Sequence, residues 1–322
     1  VADRTEQARE PGALRELTWL GGNPGDGWYE MTGGLIRLLE GRDPALHLTL
    51  AAGGGRENLT RIRDGAGLVG MSTDVVVAAA YNGGPPFDAP MPALRVLGTG
   101  WSALPYNLLR AADAGAGSGS GSGSRLGEAI AGRPGGRFGA PPEDTTDELM
   151  FRAVVGHYGA TYARIRARGG RVLLDGYDAL VRALHAGEID HVFGATTLPS
   201  PGIAAAARGV RRVELAPLPA DLITHLARRY GCTPGAIPAG TYPGLHTADV
   251  ATCFAGTVLV VSAELADGTA YALTRLLLGA LDGLPAVHPS LAGFNPATAW
   301  RNVPAPLHPG AARAYREAGF MA

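Results

Sequence analysis

One phrase occurs twice in this chain, and it constrains the fold more than any other feature. Residues 58–74 carry Asn58-Leu59, Ile62, Gly65, Leu68-Val69-Gly70 and Thr73-Asp74. Residues 178–197 carry Asp178, Leu180, Leu184, Gly187, Ile189-Asp190, Val192-Phe193-Gly194 and Thr196-Thr197. Each copy predicts a short amphipathic helix, a glycine stop and a buried strand that ends in small hydroxylated residues. One copy in each half predicts two similar α/β lobes, and two lobes make a ligand cleft.

The 322 residues suffice for two domains, and 46% hydrophobic against 18% charged residues can build a large core. Net charge is −1, which gives no electrostatic case for nucleic acid or an anionic membrane as main partner. All 28 basic residues are Arg, so Schiff-base lysine chemistry and a P-loop lysine are excluded. No run of 18 apolar residues predicts a membrane span. Residues 1–12 read as a polar tail without a signal peptide, and a start at Val fits a processed chain, which is compatible with export. Cys232 and Cys253 are either bridged or two thiols, one buried on the strand around Cys253; spacing leaves both open.

Strands are expected at 17–20, 46–51, 94–98, 106–111, 137–139, 171–174, 212–215 and 252–261, besides those of the repeats. Helices are expected at 28–40, 74–81, 125–131, 146–158, 220–230, 267–281 and 310–318. Their alternation predicts parallel βαβ units. The Gly/Ser tract 115–124 reads as a surface loop inside lobe two. The long apolar run 252–261 is the natural return crossing into lobe one. Lobe one is then 13–105 with 253–322 and lobe two 106–252, joined by two hinge crossings.

Four stretches carry a family resemblance. They are Gly53-Gly54-Gly55-Arg56-Glu57-Asn58-Leu59, Ser72-Thr73-Asp74-Val75 with Ala80-Tyr81-Asn82-Gly83, Ile237-Pro238-Ala239-Gly240-Thr241-Tyr242-Pro243-Gly244, and Val303-Pro304-Ala305-Pro306-Leu307-His308-Pro309-Gly310. The chain resembles the TAXI-type solute-binding proteins of TRAP transporters, from about Leu17 to Gly319. The resemblance implies a two-lobed type II periplasmic-binding-protein fold that captures a small carboxylate, such as glutamate or 2-oxoglutarate. It also implies an extracytoplasmic or lipid-anchored monomer, with no cofactor or metal, that delivers ligand to a TRAP membrane permease. Presentation to a membrane sensor kinase is the alternative output.

Open α/β lobes bind beyond the carboxyl ends of their strands, which selects the candidate residues. In loop 21–29, Asn23, Gly25, Asp26, Trp28 and Tyr29 stand where the family has a glycine-rich loop and paired aromatics. A carboxylate there would meet the following helix's N–H groups. Gly54 and Asn58 follow in the next loop, then Ser72 and Thr73 at the end of the first repeat. Lobe two offers Glu143, Asp144, Thr145 and Thr146, then Thr196 and Thr197 after the second repeat, and Tyr242 in the 237–244 string. Helix capping competes for many of these: Asp26 and Asn58 are as well suited to caps, and Asp74 is favoured as a cap rather than a contact. Thr145 with Glu148 fits a capping box. If Asp26, Glu143 and Asp144 faced the ligand they would repel a dianion and favour a neutral, zwitterionic or cationic one. The repeat ends Ser72-Thr73 and Thr196-Thr197 are expected to face each other.

Motifs for catalysis are missing: there is no Gly-x-Ser-x-Gly, His-Glu-x-x-His or Cys-x-x-Cys, and the eight histidines lack metal spacing. Binding is therefore expected rather than turnover. His308 is expected to be structural.

Overall fold

The computed structural model describes residues 17–22, 24, 27–65, 68–114 and 126–322. In chain order the elements are β1 (Thr18–Leu20), α1 (Gly27–Arg42), β2 (Thr49–Ala51), α2 (Gly55–Asp64), β3 (Leu68–Thr73), α3 (Asp74–Asn82), β4 (Leu94–Gly98) and β5 (Ala103–Ala111). A π-helical turn (Glu128–Gly132) leads to β6 (Arg137–Ala140), α4 (Thr146–His157), α5 (Tyr162–Ala167), β7 (Arg171–Leu174), α6 (Tyr177–His185) and β8 (His191–Ala195). Then come α7 (Pro201–Ala205), β9 (Val213–Ala216), α8 (Ala220–Tyr230), β10 (Thr233–Ile237), β11 (Val250–Ser262), α9 (Asp267–Gly279), α10 (Leu284–Val287) and α11 (Pro309–Glu317).

The chain divides into two compact units: the described residues through Ser102 with Gly256–Ala322, and Ala103–Ala255. These boundaries lie three residues from the expected ones at 105/106 and 252/253. Within unit one the Ser102 and Thr257 hydroxyls meet at 2.7 Å and their backbones bond.

In unit one the strand order is β2-β1-β3-β11-β4, parallel among β2, β1 and β3 and antiparallel on both sides of β11. Alternation along β11 sorts two cores. Leu259 and Val261 face α1 and α9 with Trp19, Leu35, Leu273 and Leu277. Val258 and Val260 face α2 and α3 with Leu20, Leu59, Ile62 and Val76. In unit two the order is β7-β6-β8-β5-β9, parallel among β7, β6 and β8 and antiparallel on both sides of β5. Leu109, Val192, Val213 and Leu215 pack against α6 and α7. Tyr106, Phe193, Phe151 and Phe138 form a ring stack on the α4 side. At one end of this sheet Asp190 receives two bonds from Arg137 and one from Arg211; burial raises its pKa, but these guanidiniums outweigh that and hold it low.

Both repeats fold as expected, into α2–β3 and α6–β8. They also share a topology: β3 has a parallel neighbour in β1 and an antiparallel one in β11, while β8 has β6 and β5 in the same relation. The second stop needs its glycine, because Gly187 sits at φ +73°.

Several expectations are corrected. The strand expected at 46–51 is only Thr49–Ala51, because its partner β1 has three residues to offer. The helix expected at 125–131 begins with Arg125, which lies outside the described residues, and the rest runs into a π-helical turn. The Gly/Ser tract 115–124 also lies outside them. β10 escaped sequence reading because Pro234 and Gly235 are strand-averse; it is an edge strand bonded only to β11, where Pro is tolerated. Cys232 and Cys253 are both buried and are not joined in a disulfide. No single described helix is long and apolar enough to cross a membrane, and the bent pair α9–α10 that passes by composition supplies core residues.

Gly310 is where α11 meets α9: a Cβ there would lie 2.2 Å from the Asp267 carbonyl oxygen and 2.7 Å from the Tyr271 nitrogen. Those contacts are backbone and cannot yield cheaply. Gly310→Ala is expected to lower unfolding free energy by about 1–3 kcal/mol in urea titration; an unchanged midpoint would show that α11 shifts freely.

Candidate functional site

Because β1, β2 and β3 are parallel, their carboxyl ends share one edge, and α1, α2 and α3 each begin just beyond it. The centre of this edge is the fully buried Asn58 carboxamide. Its Oδ1 accepts the Gly54 N–H at 3.1 Å, and its Nδ2 donates to the carbonyls of Gly21 at 2.9 Å and Met71 at 2.8 Å. One side chain thus ties the loops after β1 and β2 to β3. Gly70 allows the approach, since a Cβ there would meet Asn58 Cβ at 3.2 Å and Ile62 Cδ1 at 2.8 Å. Asn58 is therefore a brace and not a ligand contact, and it is not the helix cap either; Gly54 occupies that position.

The hydroxyls at the end of β3 are also engaged locally. Ser72 donates to the Gly55 carbonyl at 3.0 Å, and Thr73 caps α3 by accepting from Val76 N–H. Both are buried. Asp74 was favoured as the α3 cap; Thr73 takes that role instead. Asp74 accepts the Val75 N–H at 2.8 Å and the Gly256 N–H at 2.9 Å. Burial pushes its carboxyl up to about 6, against the opposing pull of those N–H groups.

Two features of this edge bear on ligand binding. α2 begins at Gly54 with no side-chain cap, and the first N–H groups of any helix have no partner within it. Trp28, in the first turn of α1, packs on the core while its buried Nε1 has no partner among the described residues. Tyr29 is half-buried in the same turn. Asn23, Gly25 and Asp26 lie outside the described residues.

In unit two the parallel strands β7, β6 and β8 share an edge with the starts of α6, α4 and α7. Asp147 Oδ1 accepts the Ala195 N–H at 2.8 Å, and the Tyr177 hydroxyl donates to the Ala195 carbonyl at 3.1 Å, so this edge is braced from α4 and α6. Burial raises the Tyr177 pKa well above the usual value, with Asp147 adding to it, so the phenol stays a donor.

Thr145 caps α4 by accepting from Glu148 N–H, the role the capping-box spacing offers, and donates to the Pro142 carbonyl at 2.7 Å. Glu148 completes the reciprocal arrangement one residue early, accepting from Asp144 N–H at 3.2 Å. The expected acidic mouth is weakened, because Glu143 pairs with Arg152 at 2.8 Å. Asp144 adopts the left-handed region at φ 64°. Tyr242 is a core residue whose hydroxyl accepts the Ser200 N–H at 2.9 Å, steadying the start of α7. Thr197 and Thr196 are oriented by long bonds, 3.4 Å each, to the Pro199 carbonyl and the Ser200 hydroxyl.

The groups left over on this edge differ from those of unit one. Thr146 Oγ1 is buried without a partner. Asn107 Oδ1, at the middle of β5 and opposite Gly194 of β8, is likewise buried and has no partner among the described residues. A buried polar group without a partner costs about 1–3 kcal/mol, so each calls for an explanation. α6 starts at Gly176 with no side-chain cap. The two helices of the repeated phrase are therefore both glycine-led and uncapped. Sequence reasoning missed Gly176 and Asn107. The first was visible as a glycine before an amphipathic helix, the second as a lone amide in the run Tyr106-Asn107-Leu108-Leu109.

His308 is structural, as expected. It caps α11 through Nδ1 and donates from Nε2 to the Leu265 carbonyl at 3.0 Å; burial lowers its pKa and keeps it neutral. Among the described residues no group of three His, Cys, Asp or Glu is placed to hold a metal ion.

Residues 20–319 match the model of the NMT1-like family. Among solved structures, MatC from Rhodopseudomonas palustris with bound malate has a TM-score of 0.51 at 13% identity, covering 86% of this chain and 89% of that one. A structure described as a periplasmic transporter has a TM-score of 0.49 at 11% identity, covering 85% of each chain. A second R. palustris protein, with adipate, has a TM-score of 0.45 at 12% identity, covering 84% and 82%. The first likeness shows the fold, the mixed α/β fold of periplasmic binding proteins. No curated protein matches the sequence.

Two variants test the braces. Asn58→Leu removes four backbone bonds, the 3.4 Å contact to the Leu20 carbonyl included, and strands their buried partners, so urea unfolding is expected to show a loss of about 2–4 kcal/mol; a loss under about 1 kcal/mol would mean the loops hold without it. Asp74→Asn tests the raised carboxyl. Between its unfolded value, near 3.8, and about 6 the native group binds more protons than the unfolded one, so its contribution falls as pH rises, by about 2–3 kcal/mol in all. His191, lowered by burial to about 4, acts in the opposite sense over the same range and gains stability as pH rises. Stability of Asp74→Asn relative to the parent is therefore expected to improve by about 2 kcal/mol from pH 4 to pH 6.5; parallel profiles would show that Asp74 ionises normally.

Proposed function

This chain belongs to the NMT1-like family, and from that premise we propose that it is an extracytoplasmic solute-binding receptor for a small carboxylate or amino acid. The observation that carries the proposal is the pair of uncapped, glycine-led helix starts at Gly54 and Gly176, each at the carboxyl edge of parallel strands. Open N–H groups at a helix start accept a carboxylate without a lysine or arginine. Each such contact contributes about 0.3–1 kcal/mol at an exposed site and up to about 2 kcal/mol when partly buried. The orphaned donor Trp28 Nε1 and the orphaned hydroxyl of Thr146 stand beside these edges and give a polar ligand further bonds.

The machinery suits holding rather than turnover. Ser72, Thr73 and Thr145 spend their hydroxyls on backbone, which leaves no activated nucleophile among them. Glutamate and 2-oxoglutarate are the ligands the TAXI resemblance suggests, and malate is bound by the structurally similar MatC. Delivery to a TRAP-type permease by a monomeric, cofactor-free receptor completes the reading.

A thermal-shift screen of amino acids, keto and hydroxy acids, sugars and polyamines tests it. A dicarboxylate or acidic amino acid is expected to raise the melting temperature saturably, by the equivalent of about 2.7 kcal/mol at a hundredfold excess over Kd. Stabilisation by sugars or polyamines alone would overturn the assignment.

A further inference from the structure

We propose that the end of unit two opposite its strand-to-helix edge is a docking surface for an anionic lipid bilayer, with Val210 as the inserting tip. The surface belongs to this unit alone, and it goes beyond ligand binding.

Topology gathers the surface. β7, β6, β8 and β9 all start at this end and β5 finishes there, because β5 is antiparallel to both β8 and β9. The stretches that meet at this end are therefore 112–114, 132–137, 168–171, 186–190 and 206–212. They are rich in arginine, although the whole chain carries a net charge of −1. Four of the guanidiniums face carboxylates: Arg133 faces Glu128, Arg137 faces Asp190, Arg171 faces Glu188, and Arg211 faces both Asp113 and Asp190. Arg168, Arg208 and Arg212 have no carboxylate partner among the described residues; Arg168 bonds to the carbonyls of Ala131 and Gly132, and the other two side chains are exposed. This end is thus positive on balance, which the average over the chain conceals.

The loop before β9 is pinned from beneath. The Arg211 guanidinium donates to the Leu184 carbonyl at 3.1 Å and the Ile189 carbonyl at 2.9 Å, and the Ala112 N–H donates to the Arg212 carbonyl at 2.9 Å. Gly209 lies directly on the His185 ring, where a Cβ would come within 2.1 Å of Cε1. Val210 is held outward by this arrangement and is 97% exposed, the one large hydrophobic side chain so exposed among the described residues. A lone exposed aliphatic is common on a surface. Its fixed position between Arg208 and Arg212 is what gives this one meaning.

The chemistry selects the partner. Guanidiniums bind phosphate oxygens in a bidentate fork, and an aliphatic tip between them reaches the boundary between headgroups and acyl chains. Arg168 precedes β7 and Arg212 precedes β9, the two edges of this five-stranded sheet, so the cations spread over about 19 Å at ordinary strand spacing. A convex tip among cations spread this widely suits a broad anionic surface better than one pocket on a protein.

Co-sedimentation of the full chain with sucrose-loaded vesicles tests the assignment. Vesicles of equimolar phosphatidylglycerol and phosphatidylcholine are expected to bind it roughly tenfold more strongly than phosphatidylcholine alone at low ionic strength, and the difference is expected to vanish in about 0.5 M salt. Arg208→Gln combined with Arg212→Gln is expected to weaken that binding about fivefold. Neither side chain has a partner to lose, so the melting temperature should stay unchanged. Val210→Trp is expected to show a blue shift of indole emission on anionic vesicles that the parent, with its own four tryptophans, does not show. Equal binding to the two vesicle types, binding to neither, undiminished binding in the double variant or an unshifted Val210→Trp would overturn the proposal. Capture by polyglutamate without capture by anionic vesicles would assign the surface to an acidic protein and overturn it as well.

Discussion

The strand-end edge of unit one depends on a single buried amide. Asn58 holds the loops after β1 and β2 against β3 through four backbone bonds, all made from the first turn of a helix that Gly70 lets come close. A backbone loop that must present N–H groups to a ligand pays for disorder at the moment of binding; one already held does not. Asp147 does the corresponding work in unit two, from the helix that follows β6 and at the carboxyl end of β8. The repeated phrase thus shares topology between units without sharing its bracing residue.

These braces explain why so many hydroxyls and amides at the edges are spent on structure. Among the described residues, what these edges leave over includes two uncapped helix starts, the Trp28 indole N–H, the Thr146 hydroxyl and the Asn107 oxygen. Glu143 is less informative than its charge suggests, because it pairs with Arg152, a guanidinium it shares with the buried Glu148.

Much of the fold was legible in the sequence because it rests on periodicity. The helical spacing of Leu59 and Ile62, the β-branched run through Val258–Val261 and the glycine stops each report local physics that tertiary packing reinforced. β10 was illegible because Pro234 and Gly235 are tolerated only at an edge, and edge position is a tertiary property. The site was less legible for a related reason. Asn, Ser, Thr and Asp at strand-to-helix junctions serve caps, braces and ligands with the same atoms, so Asn58, Ser72, Thr73 and Thr145 looked like contacts until their partners were known. Asn107 was hidden in the other direction, as one amide within an apolar strand, where its unsatisfied oxygen depends on the neighbouring Pro105 and Gly194.

The central claim is that the glycine-led helix starts at the strand carboxyl edges hold a carboxylate. Amide hydrogen exchange with and without saturating L-glutamate measures this most directly. The account predicts slowed exchange concentrated in the first turns of α2 and α6 and the loops that precede them, with the cores of both units unchanged. Protection confined to other surfaces, or none at a concentration that saturates binding, would contradict it.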